Sequence, residues 1–264
     1  MLQSVLNLEP EVLFRLQSFV FVLLALLLLE RWLPQRQPKY SGRALANTGL
    51  QLINLLLILI VPVSLTAAAL LALFNQFGLF NLVKLGLWSK IVISWILMDL
   101  LMYVLHRAYH GLGFLWRFHK VHHGDQALDL TTTFRTHPVE TLITLAVRAG
   151  AVALIGMPLL GVVIYEVVVC AMALFIHANI RLNNHIDRLL GWILITPSMH
   201  RIHHGSDPAD YGSNFGLVIS VWDRIFGTLR VRPSAEPESA IGIPGLNSEA
   251  GVMPMLTQPF KSST

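Results

Sequence analysis

The sequence predicts an all-α fold: a polytopic transmembrane helical bundle carrying a histidine-rich cap at one membrane face. Three observations lead there. Hydrophobic residues make up 54% of the 264-residue chain and charged residues only 13%, where an average soluble domain carries about 25%, and the mean hydropathy is +0.61. The apolar residues gather in runs near the roughly 20 that cross a hydrocarbon core as a helix. Eight of the eleven histidines fall in three clusters, His106-Arg-Ala-Tyr-His110, His119-Lys-Val-His122-His123 and His200-Arg-Ile-His203-His204.

On a helix, residues three and four apart share a face, about 5–6 Å apart at Cβ. Each cluster therefore aims two imidazoles at one point. In the HxxHH clusters, His119 pairs with His122 or His123, and the leftover ring reaches toward a neighbouring site. Zinc takes about four ligands in a structural site and about three in a catalytic one. Three clusters supply more nitrogens than one ion uses, so the spacing predicts a di-metal site. The formal charge of +4 provides no stripe for nucleic acid, and no nucleic-acid partner is expected. The single cysteine, Cys170, sits in an apolar run and reads as a small buried hydrophobe.

Taken in order, the chain opens with no basic region before its first apolar run and no small-residue cleavage site after it, so the first segment is expected to stay as an anchor. Val12 to Trp32 is the first span, charged only at Arg15 and at Glu30 and Arg31 near its ends. Pro34 closes it. Gln35 to Arg43 then reads as a loop with Arg31, Arg36, Lys39 and Arg43 in or beside it, and basic short loops mark the cytoplasmic side. Ala44 to Phe74 is too long for one straight span, and Pro62 in its middle predicts a kinked helix or a re-entrant end. Asn75 to Lys90 reads as a connector with an interfacial Trp88.

The third span, Ile91 to about Tyr109, contains an ionisable residue, Asp99, whose exposure to lipid would cost several kcal/mol. Asp99, Tyr103, His106 and His110 follow at steps of four, three and four, which puts them on one stripe of one helix. Asp99 is expected beside the metal site or as a polar anchor to another helix. Gly111 and Gly113 break this helix before the basic, aromatic stretch Trp116 to Gly124. Asp125 to Pro138 reads as a polar loop, with Pro138 turning His137 away from helical geometry. Glu140–Ile155 and Pro158–Ile176 form a membrane hairpin in which Arg148 and Glu166 are expected to meet. The hairpin returns His177 to the face of His110 to His123. Leu189 to Ile195 is a short amphipathic stretch, and Thr196-Pro197-Ser198 opens a helix for the third cluster. Beyond Gly205 the chain is soluble in character, with partial disorder expected from Pro233 onward.

These stretches together resemble the fatty acid hydroxylase / sterol desaturase superfamily of membrane-bound di-iron enzymes. The resemblance rests on Asp99 through His106 and His110, Trp116 through His123, Arg135-Thr-His137-Pro-Val-Glu140 and His177-Ala-Asn179. It continues through Thr196 to His204, Asn214-Phe215-Gly216 and Trp222 to Thr228. It implies an N-terminal transmembrane region at 1–90, a catalytic domain at 91–230 and a C-terminal tail at 231–264. It also implies nine metal ligands: His106, His110, His119, His122, His123, His177, His200, His203 and His204. Asp99 and Asn179 are implied in the catalytic set, with His137, His185 and Glu140 as additional or supporting groups. Some members place a second histidine four residues after the equivalent of His177. Here that position is Arg181, which His185 replaces only if the helix continues.

The activity implied is an O2-dependent oxidoreductase with two iron ions, O2 as co-substrate and electrons from a separate electron-transfer protein. Its substrate class is a membrane lipid, fatty acyl, sterol or related, hydroxylated at a C–H bond. Desaturation by the same site is the alternative, and a metal-binding membrane protein or transporter is the further one. Ligands clustered at helix ends rather than along the spans weigh against transport. A zinc hydrolase would need a glutamate base between its histidines, as in HExxH, and none occurs. Asp99, Asp125 or Glu140 is expected to orient ligand N–H groups. The expected location is a multi-pass membrane protein with its site on the cytoplasmic side, in the inner membrane if the source is bacterial.

Overall fold

The computed structural model describes residues 8–37, 42–232, 240–246 and 251–261. The described residues are helical, with isolated β-bridges and no strand ladder. Five segments are long and apolar enough to cross a membrane. The first, α1 (Leu8–Trp32), has 25 residues, about 37 Å of helix. The second crossing is divided into α2 (Gly42–Ile60) and α3 (Leu65–Phe74). Pro62 lacks an N–H and cannot continue α2, and Ser64 starts α3 afresh by accepting from the Ala67 N–H at 3.0 Å. The expected kink is thus a break with a new cap.

A short α4 (Leu79–Leu82) lies in the connector, where the chain turns tightly against the hairpin. Gly78 has φ +92°, and a Cβ there would lie 2.7 Å from the Cα of Gly156. The third crossing, α5 (Leu87–Gly111), begins before the expected Ile91 and breaks at Leu112, and α6 (Gly113–His123) follows. Crossings four and five are α7 (Pro138–Ile155) and α8 (Leu159–His177), joined where Gly156 adopts the left-handed conformation. After them come α9 (Asn184–Leu190), α10 (Pro197–His203), α11 (Pro208–Tyr211), α12 (Val221–Ile225) and α13 (Val252–Thr257).

The membrane core joins α3, α5, α7 and α8 through Leu65, Ala69, Met98, Val152, Val162 and Tyr165. Five helix ends gather on one face. Glu30 near the end of α1 accepts from Leu130 N at 2.9 Å and Asn179 N at 2.6 Å. Arg43 at the start of α2 reaches Asp125 and Asp129. His110 ends α5, Glu140 lies in the first turn of α7, and His177 ends α8. The even number of crossings between His110 and His177 therefore holds.

Several expectations are corrected. Arg43 is not a solvated loop residue: it is 2% exposed and sits on α2. Positions 38–41, including Lys39, lie outside the described residues. Glu166 pairs with Arg15 of α1 at 3.1 Å, while Arg148 lies over the Tyr165 ring at 5.1 Å. A charge placed on α1 was closer to Glu166 than one on its own hairpin. The amphipathic stretch begins earlier than Leu189, as α9, and ends in a turn at Gly191. In the C-terminal part, 233–239, 247–250 and 262–264 lie outside the described residues. α13 is ordered structure within it, because Met255 fills a cluster with Ala46, Leu50 and Val121.

Candidate metal centre

All nine histidines named by the resemblance converge, in two sets. His106, His110, His119, His123 and His203 form one, and His122, His177, His200 and His204 form the other; within each set the ligand atoms lie within 4.8 Å of one another. Helix periodicity explains the division. In the first set, His106/His110 on α5 and His119/His123 on α6 are pairs four residues apart. In the second, His200/His204 on α10 are such a pair. The middle histidine of each HxxHH points the other way: His122 joins the second set and His203 joins the first. The two clusters are therefore reciprocal.

The tautomers follow from the partners of the far nitrogens. His106 Nδ1 lies 2.8 Å from Phe215 O, His203 Nδ1 2.6 Å from Ser213 O, and His177 Nδ1 2.7 Å from Ala173 O. His119 Nδ1 lies 2.7 Å from Glu140 Oε1. Carbonyl and carboxylate oxygens only accept, so each Nδ1 carries a proton, and the neutral form of such a ring has its bare lone pair at Nε2. Those lone pairs face one another. His106 Nε2 is 3.2 Å from His119 Nε2 and 3.1 Å from His203 Nε2. His177 Nε2 is 3.1 Å from His122 Nε2 and 3.0 Å from His200 Nε2.

Lone pairs set at that range repel unless a cation lies between them. Two nitrogens bound at right angles at about 2.1 Å to one ion stand about 3.0 Å apart. The remaining nitrogens of His110 and His204, and Nε2 of His123, are buried without a hydrogen-bond partner, which is costly for groups not otherwise engaged. The donor set fits two transition-metal ions, and imidazole suits iron, zinc and copper alike. Burial, together with neighbouring rings, holds His122, His123, His200, His203 and His204 well below the usual imidazole range, so they are neutral and ready to ligate.

The surrounding shell is held by groups far apart in the chain. Asp223 Oδ1 accepts from Phe215 N at 2.8 Å, and Oδ2 from Gly216 N at 2.9 Å. It thereby fixes the loop whose carbonyls receive the His106 and His203 protons. Burial raises the Asp223 carboxyl above the usual range, against the hydrogen bonds that favour its charge. Asn214, at φ 52°, donates to Met199 O and Arg230 O and so ties the loop to α10. On the other side, Arg43 pairs with Asp125 at 2.7 Å and with Asp129. Asn47 donates to Asp125 Oδ2 at 3.0 Å, and Arg135 Nε to Val121 O at 2.8 Å. This buried network fastens α2 to α6 beside the ligands.

Other predicted residues have different duties. Asp99 is the polar anchor: its Oδ2 accepts from Trp222 Nε1 at 2.8 Å and Ile219 N at 3.3 Å. Asp125 serves Arg43 and not a ligand ring. Asn179 turns away from the metal sets; its side chain exchanges hydrogen bonds with the Arg36 backbone at 3.0 and 2.9 Å. His137 caps α7 by accepting from Val139 N at 3.1 Å, and its Nε2 donates to Leu256 O at 3.2 Å. His185 is exposed on α9 and joins neither set. Arg181 is exposed as well, in an extended segment after α8, so the helix that would let His185 replace it does not continue. Sequence reasoning missed Arg43, whose basic neighbours made it look like a loop residue, and Asp223, whose motif carried no assigned role. The carbonyls of Ser213 and Phe215 have no side-chain signal at all.

The profile of the fatty acid hydroxylase family matches residues 91–228. Among relatives, the ornithine lipid hydroxylase OlsE of Rhizobium tropici is 30% identical over 171 residues, covering 65% of this chain and 50% of that protein. The human alkylglycerol monooxygenase is 30% identical over 159 residues, 59% of this chain and 34% of that protein. The rice (japonica) very-long-chain aldehyde decarbonylase GL1-6 is 28% identical over 138 residues, 49% of this chain and 21% of that protein. The chain thus spans half the length of the first of these and about a third or less of the others. No solved structure matches it. With its histidine sets lying in or beside a family match that spans over half the sequence, this chain belongs to the fatty acid hydroxylase family.

Proposed function

We propose that this protein is a membrane-embedded di-iron oxidoreductase that uses O2 to hydroxylate a C–H bond of a membrane lipid. The observation that carries this reading is the pair of inward-facing histidine sets, with ring nitrogens about 3 Å apart inside each set. Relatives named ornithine lipid hydroxylase and alkylglycerol monooxygenase support the lipid substrate class. Two irons held there would supply O2 activation and oxidation of the C–H bond.

The chain's own residues do the rest. Glu140 and the carbonyls of Phe215, Ser213 and Ala173 hold ligand tautomers, which raises ligand basicity and fixes ring orientation. Burial keeps water from the reacting region. The electron donor is a separate protein, and the site faces the cytoplasm, a sidedness supported by the basic residues Arg31 in the last turn of α1 and Arg36 after it. Residues 1–90 serve as a membrane region, 91–230 as the catalytic domain and 231–264 as a tail.

The test joins metal analysis to lipid profiling. Purified protein should hold about two irons per chain, one for each histidine set. Cells expressing the wild type should contain a hydroxylated lipid that cells expressing His122→Ala lack. A missing double bond in place of a hydroxyl would identify desaturation. Zinc without iron, or identical lipid profiles, would overturn the proposal.

A further inference from the structure

Behind α10, on the side away from its histidines, lies a cavity of about 760 Å³ bounded by α9, α10 and the segment after α8. Five arginines line it, Arg181, Arg188, Arg201, Arg224 and Arg232, and Asp187 is the one carboxylate among its lining residues. Asp187 is engaged by Ser198 Oγ at 2.6 Å. Arg224 is held in place, donating to Gly191 O at 2.8 Å with its guanidinium 4.5 Å over the Trp192 ring. Arg232 pairs with the buried Asp210, which also takes Arg230 at 2.9 Å. Arg181 and Arg188 are exposed and form no ion pair among the described residues.

A hollow lined this way is repulsive to itself and attractive to an anion. The planar guanidinium matches phosphate oxygens in bidentate fashion, better than a point charge does. The volume falls within the roughly 300–1,000 Å³ of small-molecule sites, a headgroup rather than a protein surface. The surroundings identify where the anion comes from. Ile186, Leu189, Trp192 and Ile193, on α9 and the turn after it, are each more than half exposed. Apolar and tryptophan side chains beside arginines are the composition of a membrane interface. Basic pockets at the ends of membrane helices take anionic lipid headgroups.

We propose that this cavity binds the phosphate group of an anionic phospholipid from the leaflet on the histidine side. Met199 and Ile202 form part of its wall while His200 and His203 face the metal sets from the same short helix. A bound headgroup would therefore press α10 from behind. The proposal stands on the membrane reading and is independent of the oxidation chemistry.

Native mass spectrometry of the full chain in neutral detergent tests it. Phosphatidylglycerol should bind in preference to phosphatidylcholine, and Arg181→Gln/Arg188→Gln should weaken that binding about tenfold or more, since two charge-assisted contacts are lost. Both side chains are exposed, so the double variant should keep its fold and its metal content. Arg107→Gln, exposed on α5 outside the cavity, should bind the lipid as the wild type does. Equal binding of both lipids, or phosphatidylglycerol binding unchanged in the double variant, would overturn the proposal. Displacement of the lipid by an equal concentration of inorganic phosphate would overturn the lipid source and assign the cavity to a soluble phosphate.

Discussion

His119 Nδ1 lies 2.7 Å from Glu140 Oε1. This contact joins the second histidine cluster to the first turn of α7 and sets which nitrogen of His119 faces the first metal set. Glu140→Gln keeps an acceptor oxygen and removes its charge, so His119 becomes a weaker ligand. Loss of such a supporting carboxylate lowers metal affinity by about 10–100-fold. Competition with a chelator, followed by metal analysis, should show that loss while the melting temperature of the metal-free protein stays close to wild type. Unchanged metal affinity would show that the contact does not tune the ligand.

Arg43 stands between Asp125 and Asp129, and all three are buried. Arg43→Met removes the shared cation and leaves two carboxylates without compensation. Breaking a buried pair in this way costs about 3–5 kcal/mol. Thermal unfolding in detergent should show a large drop in midpoint. Adding Asp125→Asn and Asp129→Asn to Arg43→Met should recover much of it, because the stranded charge is then gone. A fully stable Arg43→Met protein would contradict the assignment.

Acid should first destabilise the fold and, at lower pH, strip the metals. The neutral state of His122, His123, His200, His203 and His204 is favoured in the folded chain by burial. Their folded pKa lies below the unfolded value of about 6.5, so the stability they contribute is present above that pH and lost as pH falls below it. Protons also compete with metal for the same nitrogens. Equilibration of the purified protein at a series of pH values, with retained metal and unfolding midpoint measured on each sample, should show the midpoint falling below about 6.5 and metal loss following at lower pH. A midpoint that is flat from pH 7 down to pH 5 would show that these imidazoles are not held neutral by the fold.

The two histidines outside the sets should separate cleanly from those within. His185→Ala should leave metal content and stability unchanged, since its side chain is exposed. His137→Ala should keep the metals and lose about 1 kcal/mol of stability with its helix cap. His177→Ala should release the ion of the four-histidine set and roughly halve the metal content, because its Nε2 meets both His122 and His200. Metal loss in His185→Ala would show that α9 rearranges when metal binds.

Much of the architecture was legible before any coordinates. Run lengths marked the spans, and the stripe Asp99–Tyr103–His106–His110 was read correctly as one face of one helix. The metal candidates were legible because imidazoles at helical spacing have few other purposes. The gaps share a cause. Arg43 looked like a loop cation because its partners, Asp125 and Asp129, lie more than 80 residues away. Glu166 was matched to its hairpin neighbour Arg148, yet α1 brings Arg15 to it. Asn179 carries a family motif, but the backbone of Arg36 takes both ends of its amide.

By itself, the sequence determined that the chain is helical and membrane-embedded, and that HxxxH and HxxHH each present rings on one side of a helix. Those properties depend on residues a turn apart. Only the tertiary structure decided that His119 pairs with His123 and sends His122 to the other set, and that His203 makes the reverse crossing from α10. Local geometry fixes the direction of a ring relative to its own helix axis. Where two rings meet depends on how α5, α6, α8 and α10 pack, and on the carbonyls of Phe215, Ser213 and Ala173 that choose the tautomer. Backbone oxygens are the same in every residue, so no reading of side chains along the chain could have found them.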